Sequence, residues 1–583
     1  MRMPFLPIPY HPSATANFRP RARGTLLGLV AGATCFGLSS LSAQTTEAEI
    51  NQLKAQMQQM QQDYEQRLAA MEGQVKSMQS QVALTASVAK SRTLTGPDGK
   101  AIAMEGPVIL PAFDTFTRNL KFHGYFRAGT GFTANGVGQT FNFNTPDVSF
   151  GKTSRLGNEN DFYMEIGPIM DHMLGDDPDV MDVRAKVTFQ FFDGVDKQTA
   201  LNLDNDGWGA GLVETYIEMK NVIKSAPEVT FWGGQRFYDR YDIHPSDFFF
   251  LNTSGMGAGV YNIPLGPGSL AIAYFGGIRS GTGSFFLDDT SFDNFSLDVN
   301  GGSGDFYRHV LDLRWGDVDF LGGKLKLVLI GSYQHGGDFT IAYNNGTTGR
   351  GKVDNSGGVG GGFVQQWDLP PNWGKLSYVQ FSLLYGWGLV DFDPSGVNLD
   401  KLNNAYLSAL AQNNSPVGTF EDVDPYNNSQ QGRANIFWVW NPTDNFSLGT
   451  WASYQYNDQG FTSYQVNSNG SISSAGSDNH LVSVGIRPYY WLWGPLAIQG
   501  SFGYAYLSNN RRTGAGFGEG GSLGIFTIAP TIKPRGGFFT RPELRAFATF
   551  SVWSDELQGA IGGPAYANQN YGWLFGVQAE TWW

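Results

Sequence analysis

The chain has 583 residues, 76 of them glycine, with 14% aromatic and only 16% charged residues. That length exceeds one ordinary soluble core, so several domains or one large barrel are expected. The charged fraction is well below the roughly one quarter of soluble domains. Mean hydropathy is nevertheless −0.24, and no apolar run of about 18 residues follows the N-terminal region, which excludes further transmembrane helices. The net charge of −13 argues against nucleic acid as a partner.

Residues 1–43 read as a signal peptide. Arg19, Arg21 and Arg23 form a basic region, Thr25 to Phe36 is apolar, and Ser42-Ala43 offers a small-residue cleavage site before Gln44. Removing its four arginines, Arg2 included, takes the net charge from −13 to −17 and removes Cys35, the one cysteine. The mature chain then has no disulfide, no thiolate nucleophile and no cysteine-based metal site. Residues 44–85 carry a heptad seam. Ile50, Leu53, Met57, Met60, Tyr64, Leu68, Met71, Val75, Met78 and Val82 alternate spacings of three and four with one stutter, which predicts a coiled coil. Residues 86–119 lose that period, contain Gly96-Pro97, Asp98-Gly99 and Gly106-Pro107, and read as a linker.

From 120 to 583 the period becomes two. In 544–552, Leu544, Ala546, Ala548, Phe550 and Val552 oppose Arg545, Phe547, Thr549 and Ser551. In 571–583, Tyr571, Trp573, Phe575, Val577, Ala579 and Trp583 oppose Gln578 and Glu580. Aromatics at the ends of the apolar face suit an interfacial girdle, and a closed barrel satisfies every backbone group in lipid. Long polar stretches (Asp288–Asp305, Asn344–Gly362, Leu402–Arg433, Ser508–Gly521) alternate with short turns. The reading is an all-β, antiparallel transmembrane barrel of a Gram-negative outer membrane, of roughly 14 to 22 strands, with the coil in the periplasm.

Phe122-His-Gly-Tyr125, Arg155-Leu-Gly-Asn-Glu159, Arg236-Phe-Tyr-Asp-Arg240 with Asp242 and His244, Gly257-Ala-Gly259, Val484-Gly-Ile-Arg-Pro488, Arg512-Thr-Gly514, Arg541-Pro542 with Ala546-Phe-Ala-Thr549, and Trp582-Trp583 occur in that order. Together they resemble the maltoporin family, and the coil in front is similar to the layout of sucrose porin within it. The resemblance implies an 18-stranded barrel, a homotrimer, an inward-folded constriction loop, oligosaccharide substrates such as maltodextrins or sucrose, and a slide of aromatic rings beside a polar track. The slide maps onto Tyr125, Tyr163, Tyr378, Phe539 and Trp582, with Trp208, placed in a loop, as a sixth ring for a neighbouring subunit. Strand parity puts the first five on polar faces, Phe539 with Arg541, Glu543 and Arg545 among them. The track maps onto Arg127, Arg155, Glu165, Arg240, Asp242, His244 and Asp247. Phe249 stands where the family has a tyrosine, Asn252 where it has an acid, and Val213 where it has an arginine.

Aromatic planes hold the C–H faces of sugars while charged and amide groups exchange hydrogen bonds with the hydroxyl rim. A series of weak sites admits a sugar and releases it. Two other readings stay open: a general or anion-selective diffusion porin, and a barrel-anchored structural protein whose coil binds a periplasmic partner. No catalytic residue, metal or cofactor is expected. The adjacent pairs Asp176-Asp177 and Asp288-Asp289 point apart, no nucleophile elbow, zinc helix or phosphate loop appears, and the seven histidines lack ligand spacing.

Overall fold

The computed structural model describes residues 94–95, 101–102, 119–146, 153–159, 161–174, 180–193, 208–278, 282–283, 295–298, 307–335, 337–343, 348–353, 355–390, 392, 419–423, 428–458, 463–466, 472–475, 478–510 and 518–583. The expected leader and coiled coil lie outside them. Within the expected linker, Leu94–Thr95 and Ala101–Ile102 pair antiparallel.

Eighteen strands close into one antiparallel barrel. In chain order they are β1 (Leu120–Thr133), β2 (Phe162–Met170), β3 (Asp182–Asp193), β4 (Trp208–Lys220), β5 (Thr230–Arg236), β6 (Gly255–Leu265), β7 (Gly268–Ile278), β8 (Tyr307–Phe320) and β9 (Gly323–Gln334). They continue as β10 (Ser356–Asp368), β11 (Tyr378–Gly388), β12 (Gln430–Thr443), β13 (Phe446–Asp458), β14 (Asp478–Trp493), β15 (Leu496–Asn510), β16 (Gly518–Ile532), β17 (Glu543–Trp553) and β18 (Tyr571–Trp582). Each strand pairs with its neighbour in sequence, and β18 closes on β1 with Trp582 opposite Tyr125. Connections at one end are short. Leu321 and Gly322, both at positive φ (48° and 77°), form a two-residue hairpin turn between β8 and β9. Connections at the other end are long.

The outer wall presents Leu329, Ile436, Ile486, Phe502, Phe526 and Val577 around its middle, all exposed. A continuous apolar belt of this extent is not stable against water and needs a lipid surface. Near the short-turn end, Trp315, Trp367 and Trp440 donate their indole N–H groups to the carbonyls of Leu265, Leu321 and Trp373 at 3.0, 3.0 and 2.7 Å. The rings thus lie at the interface with their polar edges turned to the turns.

Among the described residues, stretches of two of the long connections that fold into the lumen position the site. Residues 237–254 form a hairpin, Tyr241–Ile243 against Phe248–Leu251, joined by a turn at His244–Ser246. The turn ends on Asp247 in the left-handed conformation (φ 52°), which a short acidic side chain tolerates. Ile243, Phe248, Phe250 and Leu251 pack against Val328, Ile330, Val364, Leu384, Phe437 and Trp451, all inward-facing residues of the wall. The lumen face is therefore apolar where the hairpin covers it, an exception to the polar-inside rule for barrel strands. At the hairpin's ends, Arg314 holds Asp312 (2.8 Å) and Thr253 (2.9 Å), and Lys326 holds Asp239 at 2.5 Å.

The second connection, Thr153–Glu159, lies across β15 to β17. Thr527 and Thr549 donate to the carbonyls of Leu156 (2.9 Å) and Gly157 (2.8 Å). Gly157 has φ +61°, and a side chain there would strike Thr549. Gly503 lets the backbone at Thr153 lie directly on β15.

Three sequence expectations are corrected. The stretches Asn344–Gly362, Leu402–Arg433 and Ser508–Gly521 include the starts of β10 and β12, the end of β15 and the start of β16. Glycine and small polar residues made those strand ends look like loop. Trp208 is the first residue of β4, opposite Asp193, and not in a loop. Phe539 lies in the connection 533–542, four residues before β17, so strand alternation does not govern its direction. Segments at 282–283, 295–298, 337–343, 348–353 and 419–423 in the long connections form a separate five-stranded sheet that the sequence did not suggest.

Candidate functional site

The five mapped rings of the described side chains lie along one path. Tyr125 on β1 meets Tyr163 on β2 edge-on at 5.8 Å and stacks with Trp582 on β18 at 6.4 Å, with the planes 14° apart. The step from Trp582 to Phe539 is made by His244, whose ring lies 5.7 Å from the first and 5.6 Å from the second. Phe539 rests on buried Phe538 (5.0 Å), Phe538 touches Phe437 (6.5 Å), and Phe437 meets Tyr378 on β11 (5.9 Å). Tyr125, Tyr163, Tyr378, Phe539 and Trp582 each keep part of their surface open, whereas Phe437 and Phe538 are buried behind them. The row begins near the long-loop end of β2 and finishes at the short-turn end of β11, so it runs the height of the lumen. The side chain of Trp208 lies outside the described residues.

The charged residues stand beside that row. Arg127 pairs with Asp161 (2.6 Å), Glu159 (3.3 Å) and Asp247 (3.7 Å), and lies over the Tyr163 ring at 5.6 Å. Arg155 pairs with Glu159 (2.8 Å) and Glu580 (2.9 Å) and donates to the Tyr125 hydroxyl, which donates in turn to Glu580 at 3.0 Å. Glu165 accepts from the Tyr163 hydroxyl. Arg240 sits 3.7 Å from the Phe237 ring centre and 4.8 Å from that of Phe249, in a cation–π sandwich. A phenylalanine at 249 can hold the guanidinium but adds no hydroxyl. Asn252 turns back to its own loop, accepting from Ser254. Val213 leaves β4 without the arginine of the motif.

His244 is flanked by Arg541 at Nε2 (3.1 Å) and Arg155 at Nδ1 (3.5 Å). Burial and these two guanidinium groups hold its pKa well below the usual imidazole range, so it serves the row as a neutral ring. Asp242, in the same hairpin, is pushed up to about 6 by burial and by Asp247, against the pull of Arg240 and Arg155. Arg541 lies over Trp582 at 3.9 Å and pairs with Glu543 (2.9 Å) and Glu580 (3.4 Å), fixing one face of the indole.

Sequence reasoning missed Phe437, Phe538 and Lys533. Lys533 is buried, with its ammonium donating to the Phe538 carbonyl (2.6 Å) and Glu543 (2.7 Å) and 4.0 Å from the Tyr489 ring. It fixes the connection that carries Phe539. Phe538-Phe539 as a doublet was the available signal. Among the described residues no group of three or more His, Cys, Asp or Glu is placed to hold a metal.

Residues 120–583 match the family model described as LamB porin. The chain is 27% identical over 493 residues to Maltoporin 1 of Klebsiella pneumoniae subsp. pneumoniae, covering 83% of this chain and 98% of that one. Among solved structures it is similar to OccD3 of Pseudomonas aeruginosa (11% identity, TM-score 0.37, 84% of this chain and 96% of that one). It is likewise similar to OccAB1 of Acinetobacter baumannii (12% identity, TM-score 0.38, 82% and 99%).

Proposed function

This chain belongs to the LamB porin family, and from that premise we propose that it gives facilitated diffusion of oligosaccharides across the outer membrane along the aromatic row and its polar flank. The observation that carries the reading is the row itself: partly open rings in steps of 5.6 to 6.4 Å from Tyr163 to Phe539, in a lumen where bulky exposed aromatics have no packing role. Each step is comparable to one pyranose unit. The rings take the C–H faces, and Arg127, Arg240, Glu165 and Asp242 exchange hydrogen bonds with the hydroxyls. No single contact is strong, which is what passage requires.

The charges of the lumen are mixed, with the arginines nearest the row paired to Glu159, Asp161, Glu543 and Glu580. This favours a sugar channel over a pore selective for anions, which needs a lumen dominated by one sign. Maltodextrins, sucrose or similar oligosaccharides are the proposed substrate class. The assembly is a homotrimer, with Trp208 offered to the neighbouring subunit, and the N-terminal coil stands in the periplasm, where it engages a partner. Liposome swelling tests the transport reading. Flux that saturates with sugar concentration supports it, and flux that depends on solute mass alone refutes it. Removing residues 44–119 tests the coil: unchanged flux makes it accessory to transport.

A further inference from the structure

Beyond Tyr163, toward the long-loop end, one more ring continues the row. Phe192 on β3 is directly opposite Tyr163 on β2, and the two rings meet edge-on at 6.4 Å, the same separation as Tyr125 from Trp582. Cross-strand partners share a face, and Tyr163 is itself opposite Arg127, whose side chain is fixed among the ion pairs of the lumen. Phe192 therefore faces the channel. On its other side it is opposite Gly209, which has no side chain to cover it, and 38% of Phe192 remains exposed. It is the next-to-last residue of its strand, at the mouth. Trp208 falls opposite Asp193, and Asp193 opposite Phe162, so Trp208 belongs to the alternate register set.

Among the described residues, the one ring that this exposed phenylalanine meets is the first ring of the row. We propose that Phe192 is an entry subsite supplied by this chain itself, which stacks on the leading or trailing unit of a linear oligosaccharide and so favours longer chains over disaccharides. This rests on reading the row as a sugar path. Its effect is confined to sugars long enough to occupy Phe192 and the rings beyond Tyr163 together. A disaccharide seated at Tyr125 and Trp582 does not reach it.

The test compares the full-length protein with Phe192→Leu and Phe192→Trp in planar bilayers, with maltohexaose or maltose added to each side in turn and association and dissociation rates taken from current fluctuations. Loss of one stacking face, at about 1 kcal/mol, predicts about fivefold weaker maltohexaose binding in Phe192→Leu, with maltose changed by less than about twofold. Phe192→Trp, which widens the stacking face, is expected to slow maltohexaose dissociation and keeps the test decisive if the leucine variant does not insert. Unchanged maltohexaose rates in the variants overturn the entry subsite while leaving the sugar path standing, as does an equal loss for both sugars. Absence of block by any sugar in the unmodified protein removes the sugar path itself, and the subsite with it.

Discussion

Tyr125 lies between Tyr163 and Trp582 in the row and carries two functions that substitution separates. Its ring bridges Tyr163 and Trp582, and its hydroxyl links Arg155 to Glu580. In Tyr125→Phe the ring stays. Glu580 keeps Arg155 at 2.9 Å, Arg545 at 3.2 Å and Arg541 at 3.4 Å, so no buried carboxylate is left without a partner. The cost is then that of one hydrogen bond, about 1 kcal/mol of local stability, and sugar affinity falls little. In Tyr125→Ala the stacking surface is lost and the row is interrupted between Tyr163 and Trp582. Losing that surface costs roughly 1–1.5 kcal/mol of sugar binding, a five- to tenfold rise in the half-blocking concentration. The assay is maltotriose block of ion current through the purified protein, with unliganded conductance as the check on folding. Equal losses in the two variants would mean that the hydroxyl network, not the ring, holds the sugar. Full block in Tyr125→Ala would refute the ring path.

Three further perturbations follow from the loops and their charges. Arg314→Met leaves Asp312, fully buried, without its guanidinium, which costs on the order of 3–5 kcal/mol locally; the constriction hairpin loosens at its Asp239 and Thr253 end, and single-channel conductance rises and becomes noisier. Gly503→Val pushes the Thr153 backbone off β15 toward the lumen and is expected to narrow the pore on that side, again read as conductance, with Gly500→Ala on the same strand as a control because a Cβ there meets only ordinary contacts, the nearest at 3.6 Å. Asp242 in the constriction hairpin is protonated below about pH 6 and charged above it. Cation preference in a salt gradient is therefore expected to increase as pH rises through 6, and Asp242→Asn should abolish that step. Because its pKa is raised relative to the unfolded chain, at about 3.9, the folded state binds the proton more tightly. The group's favourable contribution to stability is complete at acid pH and is lost as pH rises through 6.

Much of the barrel was legible because alternation in a membrane strand is enforced from both sides, by lipid and by the lumen. The faces read for Leu544–Val552 and for Tyr571–Ala579 are those observed, with Leu544 and Val577 out and Arg545 and Gln578 in. The number of strands came from family motifs, because alternation fixes a strand's faces and not how many strands close a ring. Alternation failed where a second layer lies inside. Val328, Ile330, Leu384 and Trp451 face inward and are apolar because the constriction hairpin covers them, and no local pattern announces a loop folded back from another part of the chain. The rings on strands were placed by motif and parity together. Phe539 was placed by motif and by a parity argument that does not hold there, since its direction is set by Lys533 and Phe538 and not by a strand. Phe192 escaped notice because its neighbours in sequence, Phe189 and Phe191, face outward, and an aromatic run reads as girdle. Only the pairing with Tyr163 assigns it to the lumen.

The central claim is that the aromatic row binds sugars during passage, and sugar-dependent block of ion current through the purified protein in a planar bilayer tests it most directly. Maltose, maltotriose, sucrose, cellobiose and a non-sugar anion form the panel. The account predicts saturable block by at least one sugar, tighter for longer linear chains, and none by the anion. Steady conductance unaffected by every sugar would contradict it and leave a general diffusion pore.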